Sequence, residues 1–148
     1  MSRKKNTYPS EDILNSDLTL GELVYKVSIP LEPKTKKNNL QIIKTKDNKR
    51  KVIQSAAYNN YEKQALWFLR PLGIDYPVNI KCLFYRTDYH RFDLTNALEA
   101  IDDILVKKKT IADDDFKILV GHDGSRVFID KEHPRTEVYI YKVKGGEE

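Results

Sequence analysis

Carboxylates and lysines are the residues of this chain whose types and spacing could do chemistry. Between Asp93 and Asp115, seven acidic residues outnumber three lysines, a local charge of −4. Between Leu31 and Gln54, eight basic residues outnumber two acidic ones, a local charge of +6. Carboxylate oxygens bind divalent cations, and lysines bind polyanions. The pair of segments favours metal-assisted phosphodiester hydrolysis, in which the cation polarises a phosphoryl oxygen and supplies a hydroxide-like water.

Two of the acidic positions could converge from distant parts of the chain. Asp93 precedes an apolar run with helical spacing, and Asp115 precedes a predicted strand. The two carboxylates would meet at one phosphate if that helix packs on the sheet beside that strand. Taken separately, Asp93 is more typical of a helix N-cap, the triplet 113–115 of a solvated turn, and the lysine-rich stretch of a solvated loop. Their coincidence in one small domain favours a catalytic site over these structural interpretations.

The elements that must position these residues follow from hydrophobic periodicity. Period-two alternation and turn signals predict strands at 23–29, 78–85, 116–120, 126–129 and 136–143, with a hairpin at Asp123-Gly124. Three- and four-residue spacing predicts helices at 55–69 and 93–107, and the lysine-rich stretch 34–51 is predicted as an exposed loop or a short hairpin. We expect an α+β fold, a single domain in which two main helices pack on one face of a small mixed β-sheet.

Length and composition set the domain organisation. The chain has 148 residues, of which 40% are hydrophobic and 32% charged, enough for one globular core and too few for two. We expect a flexible N-terminal arm at 1–20, the folded domain at 21–144 and a C-terminal tail at 145–148. No long apolar run indicates a membrane partner or a signal peptide, so the expected location is the cytoplasm. The single cysteine, Cys82, is predicted to be buried.

Two stretches of the chain resemble a known family. The run RFDLTNALEAIDDIL at 91–105, followed by DDFKI at 114–118, resembles the RusA family of Holliday junction resolvases, especially its phage and prophage members. That family reads R-D-x-D-N, then a helix with a D-A-L-like step, then D-D-x-Q-[IV] before a strand. The strand at 23–29 and the basic residues after it look like the family's N-terminal strand and basic loop. The resemblance implies a homodimeric endodeoxyribonuclease of a bacterial host cell, encoded by a phage or by the bacterium, that uses Mg²⁺, with Mn²⁺ as an alternative. It would resolve four-way DNA junctions by paired symmetric nicks in recombination and repair.

Site residues carry over from the resemblance position by position. Asp93 matches the first motif aspartate, and Asp115 the second aspartate of the D-D pair. Thr95 replaces an aspartate, and Glu99 replaces a lysine and offers a substitute charge. The implied catalytic residues are Asp93, Asp115, Asp114 and Asp103, and the implied metal ligands are Asp93, Asp115, Asp103 and Glu99. We expect DNA contacts from Arg91, Lys34, Lys36, Lys37 and Asn96, because a guanidinium engages phosphate oxygens bidentately and lysines attract phosphates.

Other interpretations remain open. The changes at Thr95 and Glu99 are also compatible with a branched-DNA-binding protein that is catalytically impaired. A nuclease acting on flaps and other branched DNA is a further alternative, as is a structural α+β domain whose acidic residues are caps and turns. The helical spacing of Tyr58, Tyr61 and Trp67 favours core or dimer packing over base stacking.

Overall fold

The computed structural model describes residues 17–36 and 40–143. The chain begins with a 3₁₀ turn at Leu18–Leu20. The strands are β1 (Glu22–Ile29), β2 (Leu40–Lys44), β3 (Arg50–Gln54), β4 (Val78–Arg86), β5 (Leu119–Gly121), β6 (Arg126–Ile129) and β7 (Arg135–Lys142). The helices are α1 (Ala56–Trp67), between β3 and β4, and α2 (Leu94–Lys108), between β4 and β5.

A five-stranded mixed sheet forms the centre of the molecule. β7 lies between β1 and β4 and is antiparallel to both. The other edge of β4 carries two short parallel strands, β5 beside its first residues and β6 beside its last four. β2 and β3 form a separate antiparallel hairpin. The lysine-rich stretch was predicted as an exposed loop or a short hairpin, and the structure has the hairpin. The predicted α+β class with a small mixed sheet is confirmed.

One face of the sheet carries the hydrophobic core. Alternate residues of β4 and β7 are almost completely buried, including Ile80, Phe84 and Val138. Both helices contribute to the same core cluster, so both pack against this face. Cys82 belongs to the cluster and is 0% exposed, as predicted, and its burial raises the pKa of its thiol. Tyr58 and Tyr61 are also core residues, whereas Trp67 is 83% exposed.

The two helices differ in how their N-terminal ends are capped. Ser55 caps α1 conventionally, because its side chain accepts a hydrogen bond from the backbone N–H of Tyr58. Asp93 occupies the N-cap position of α2, yet its side chain makes no capping hydrogen bond. Lys109 directly follows α2 as its C-cap and takes a left-handed conformation with φ 65°. The Asp93 carboxylate is therefore available for side-chain partners.

The predicted strand at 116–120 is wrong in its first half. Residues 116–118 form a turn, because the backbone N–H groups of Ile118 and Leu119 both donate to the carbonyl oxygen of Asp115 at 2.9 Å. The strand begins only at Leu119. The turn therefore separates the acidic triplet 113–115 from β5.

The predicted hairpin at Asp123-Gly124 is also wrong. The residues do form a turn, with Gly124 at φ +87°, but β5 and β6 follow one another along the same edge of β4 instead of pairing together. Buried Asn79 of β4 holds the turn in place, because its amide accepts from the N–H of Asp123 at 2.8 Å and donates to the Asp123 carbonyl at 3.1 Å. A side chain thus replaces the missing ladder bonds between the two short strands.

The described part of the chain begins before the predicted domain boundary. Leu18 is 7% exposed, and the 3₁₀ turn packs on β4 and β7, so the fold includes residues assigned to the arm. The rest of the predicted arm and the tail at 145–148 lie outside the described residues. Neither helix in 17–36 and 40–143 has the length and apolar content that crossing a bilayer requires.

Candidate functional site

An acid-lined pocket of about 440 Å³ lies between α2 and the segment around β5. Thr95, Leu98, Glu99 and Asp102 of α2 form one wall, because positions i, i+3, i+4 and i+7 lie on one face of a helix. Asp114, from the loop before β5, and His122, directly after it, form the other wall. These two residues come from a different part of the chain. Three carboxylates, a hydroxyl and an imidazole therefore share one pocket.

Asp102 and His122 form a hydrogen-bonded pair at the base of this pocket. Nε2 of His122 lies 2.9 Å from Oδ2 of Asp102, and its Nδ1 lies 2.7 Å from the carbonyl oxygen of Ile80. A carbonyl only accepts, so Nδ1 carries a hydrogen and donates it. One more proton must then lie between Nε2 and Oδ2, since two acceptors do not bond. The pair holds a proton inside the site.

Both members of the pair have raised pKa values. Burial raises the pKa of Asp102, which is 9% exposed, and the neighbouring carboxylates of Asp114 and Asp103 add to this. Burial lowers the pKa of His122, but the hydrogen bond and charge of Asp102 outweigh it, so the net direction is upward. A raised histidine pKa favours imidazolium at neutral pH. The pair is then a buried ion pair in which His122 donates to Asp102.

The second oxygen of the Asp102 carboxylate differs from the first in its surroundings. Its Oδ1 atom is buried and has no hydrogen-bond partner within the described residues. A buried oxygen without a donor is costly unless something binds it. Asp102 lines the pocket together with Glu99 and Asp114.

Two of the predicted metal or catalytic residues line the pocket, and three do not. Glu99 and Asp114 are lining residues. Asp93 instead accepts from Arg91 at 3.3 Å and from Asn96 at 3.2 Å through its Oδ2 atom. Asp103 forms an ion pair with Lys36.

Asp115 lies beside Asp114 but directs its carboxylate at its own loop. Its Oδ2 atom accepts from the backbone N–H of Lys117 at 3.2 Å. Neither Asp93 nor Asp115 lines this pocket, which brings Glu99 and Asp102 of α2 together with Asp114.

The predicted DNA-binding residues lie near the same helix. Nζ of Lys36 is 2.5 Å from Oδ2 of Asp103, which attaches the end of the lysine-rich segment to α2. Lys34 is half-buried in that segment, and Lys37 lies outside the described residues. Arg91 is 83% exposed and Asn96 is half-buried, both at the start of α2. Cationic side chains therefore flank the helix that carries the acidic wall.

The oxygen donors suit magnesium better than zinc. Within 17–36 and 40–143, no three histidine, cysteine or acidic side chains are already arranged around one point as metal ligands. Mg²⁺ does not require such a set, because it binds through one or two carboxylates, substrate phosphate oxygens and retained waters. The unpartnered Oδ1 of Asp102 and the carboxylates of Glu99 and Asp114 fit that requirement.

Sequence reasoning missed Asp102 and His122. A signal for Asp102 was present, since it lies seven residues after Thr95 and three after Glu99, on one helical face. His122 had no comparable signal, because its partner lies 20 positions away and is brought near only by the packing of β5 beside α2.

Fold and site define a small α+β domain with an acidic pocket on its second helix and a cationic segment attached beside it. Neither a protein-family model nor a curated protein matches the chain.

Proposed function

We propose that the protein is a Mg²⁺-dependent endodeoxyribonuclease that acts on branched DNA and resolves four-way junctions by paired nicks. One observation carries the proposal. The carboxylates of Glu99, Asp102 and Asp114 line one pocket, and the Lys36–Asp103 ion pair attaches a lysine-rich segment to the same helix. Metal-assisted phosphodiester hydrolysis needs oxygen ligands that hold a hard metal ion and, beside them, basic side chains that bind the phosphates.

Each pocket residue has a separate task in this proposal. Glu99, Asp114 and Oδ1 of Asp102 would hold the cation, which when bound polarises the phosphoryl oxygen and lowers the pKa of a bound water. His122 fixes the orientation of the Asp102 carboxylate through its 2.9 Å hydrogen bond. Thr95 offers a hydroxyl to a water or a phosphate oxygen.

Residues outside the pocket bind and orient DNA. Asp93 accepts hydrogen bonds from Arg91 and Asn96 and thereby positions both at the start of α2. Lys34 and Lys36 attract phosphates, as does the exposed hairpin that follows them. Phosphate contacts report backbone shape more than base sequence, which suits a branched substrate. The roles of Asp93, Asp115 and Asp103 as metal ligands stay predictions, as does Lys37 as a DNA contact.

A homodimer belongs to the proposal. A four-way junction has two equivalent cleavage points, and a two-fold symmetric dimer presents one site to each. Cuts in opposing strands should therefore be paired in position.

A specific observation favours a second function, branched-DNA binding without cleavage. Thr95 lines the pocket at the position where the resemblance leads us to expect an aspartate. The missing carboxylate lowers the negative charge available to a cation.

The test uses synthetic four-way junctions, flaps and duplexes, each with Mg²⁺ and with EDTA. We expect paired nicks in the junction with Mg²⁺ only, and Asp114→Asn should bind the junction yet lose about 10- to 100-fold or more in cleavage, since even the loss of a residue that only supports a metal ligand costs about 10- to 100-fold. Asp113→Asn is the matched control, because Asp113 bonds the backbone N–H of Asp114 and does not line the pocket.

The outcomes separate the candidates. Junction binding without cutting in Mg²⁺ or Mn²⁺ supports the second function, and preferential cutting of flaps supports a flap nuclease. Failure to bind any branched DNA refutes both functions.

A further inference from the structure

A second pocket, of about 590 Å³, lies at the edge strand β6 and the loop 87–92 between β4 and α2. Phe128 of β6 forms one wall, and Tyr89, Arg91 and Phe92 of the loop form the others. None of these residues lines the acidic pocket. The two pockets are close along the chain, since Arg91 and Phe92 directly precede α2 and Thr95 of the acidic wall lies in its first turn.

The Phe128 wall is held by a stack of planar groups. Its ring stacks on Tyr85 with centroids 5.0 Å apart and an interplanar angle of 21°. The guanidinium of Arg135 lies 3.8 Å from the centroid of the same tyrosine. Because β4 lies between β6 and β7, Tyr85 is placed between Phe128 and Arg135. Phe128 is nonetheless 38% exposed, so the stack ends in an accessible aromatic surface.

The loop wall is held by Arg86. Its Nε donates to Glu32 at 3.1 Å and its Nη1 to the carbonyl oxygen of His90 at 3.0 Å. Its guanidinium also lies 4.3 Å from the ring centroid of Phe92. These bonds fix the loop from inside, whereas Tyr89 projects into solvent and is 86% exposed.

We propose that this pocket binds one unpaired nucleobase of the DNA substrate, stacked against Phe128 and Tyr89. Exposed aromatic rings bind bases through their π-faces without sequence preference. Arg91, whose side chain is 83% exposed, borders the same space and can contact the adjoining phosphates. The volume is within the usual range of small-ligand pockets.

The inference deepens the proposed function and takes its biological meaning from it. A base in an intact duplex must be unstacked and unpaired before it enters such a pocket, and this cost is least for a base that is already unpaired. Branch points offer unpaired or easily unpaired bases. Binding one beside α2 would place the neighbouring backbone next to the acidic pocket, so the pocket selects branched DNA.

The test measures binding in EDTA, where cleavage plays no part. A fluorescent dT15 strand and a fully paired duplex of equal length are titrated by anisotropy against wild type, Tyr89→Ala, Phe128→Ala and the control Trp67→Ala. Trp67 is an exposed aromatic that does not line the pocket. We expect the two pocket variants to bind the single strand about 5- to 100-fold more weakly, the loss of one stacking contact, with duplex binding changed less than about twofold.

Tyr89→Ala removes an exposed loop side chain and tests the proposal even if Phe128→Ala unfolds. Equal losses for single strand and duplex, no loss with Tyr89→Ala, or the same loss with Trp67→Ala would each overturn it. Failure of the proposed function is distinguishable, because a protein that cuts no branched DNA but shows the selective single-strand loss retains the base pocket.

Discussion

Replacing His122 by alanine should destabilise the fold by about 2–3 kcal/mol at pH 7. Removing one partner of a buried ion pair costs about 3–5 kcal/mol when the remaining charge is fully buried. The Asp102 side chain is 12% exposed and that of His122 is 21% exposed, so partial access of water reduces the expected cost to about 2–3 kcal/mol. At about 2–4 °C per kcal/mol for a domain of this size, the expected fall in Tm is about 5–10 °C.

The destabilisation should come from the uncompensated carboxylate rather than from lost packing. In the His122→Ala variant both oxygens of Asp102 lack a donor, because Oδ1 has none within the described residues in the wild type either. Adding Asp102→Asn removes the charge, so the double variant should recover about 1–2 kcal/mol of the loss. Urea unfolding of the wild type, both single variants and the double variant at pH 7 gives the coupling free energy directly.

The pH dependence has a defined sign. The folded-state pKa of His122 is raised above 6.5, so its contribution to stability is complete below pH 6.5 and is lost as the pH rises through the folded value. The pKa of Asp102 is also raised, so the folded pair retains a proton that the unfolded chain releases. The free-energy gap between wild type and His122→Ala should therefore narrow above pH 6.5. Two results would refute the ion pair between His122 and Asp102. One is a coupling free energy near zero, and the other is a difference in unfolding free energy between wild type and His122→Ala that widens as the pH rises.

Three further changes test the surrounding structure. Ser55→Ala removes the N-cap of α1 and should cost about 1 kcal/mol, measured by urea unfolding. Lys109→Gly places glycine, which adopts positive φ without a steric penalty, at the left-handed position after α2. It should raise stability by about 0.5 kcal/mol, seen as a small rise in Tm. Lys36→Ala removes a phosphate-binding cation and frees Asp103, so the slope of log K against log salt for junction binding should fall by about 1, whereas the exposed control Lys63→Ala should leave it unchanged.

Periodicity predicted the elements but not every pairing between them. Alternation in β1, β4 and β7 reports burial of one face, and that is sufficient to identify strands and the α+β class. It carries no information about which strand lies beside which. The Asp123-Gly124 pair is typical of a hairpin, yet the amide of Asn79 bonds this turn and keeps β5 and β6 on the edge of β4. Such a side-chain bridge between residues 44 positions apart leaves no periodic signal.

The candidate site was predicted in type and only partly in position. The sequence indicated a cluster of carboxylates at α2 and the loop before β5, and the pocket contains Glu99 and Asp114. The cluster is centred one helical turn further along than expected, because the Asp93 carboxylate is engaged by Arg91 and Asn96 within its own turn.

The neighbours Asp102 and Asp103 show why the spacing of acidic residues matters more than their number. Successive residues of a helix point about 100° apart, so two adjacent carboxylates cannot serve one site. Asp102 turns toward His122 and the pocket, and Asp103 turns toward Lys36. One dipeptide therefore supplies both a candidate ligand and the anchor of the cationic segment. The same 100° step keeps the lysine from neutralising the pocket, so phosphate attraction and cation binding can operate side by side on a single helix.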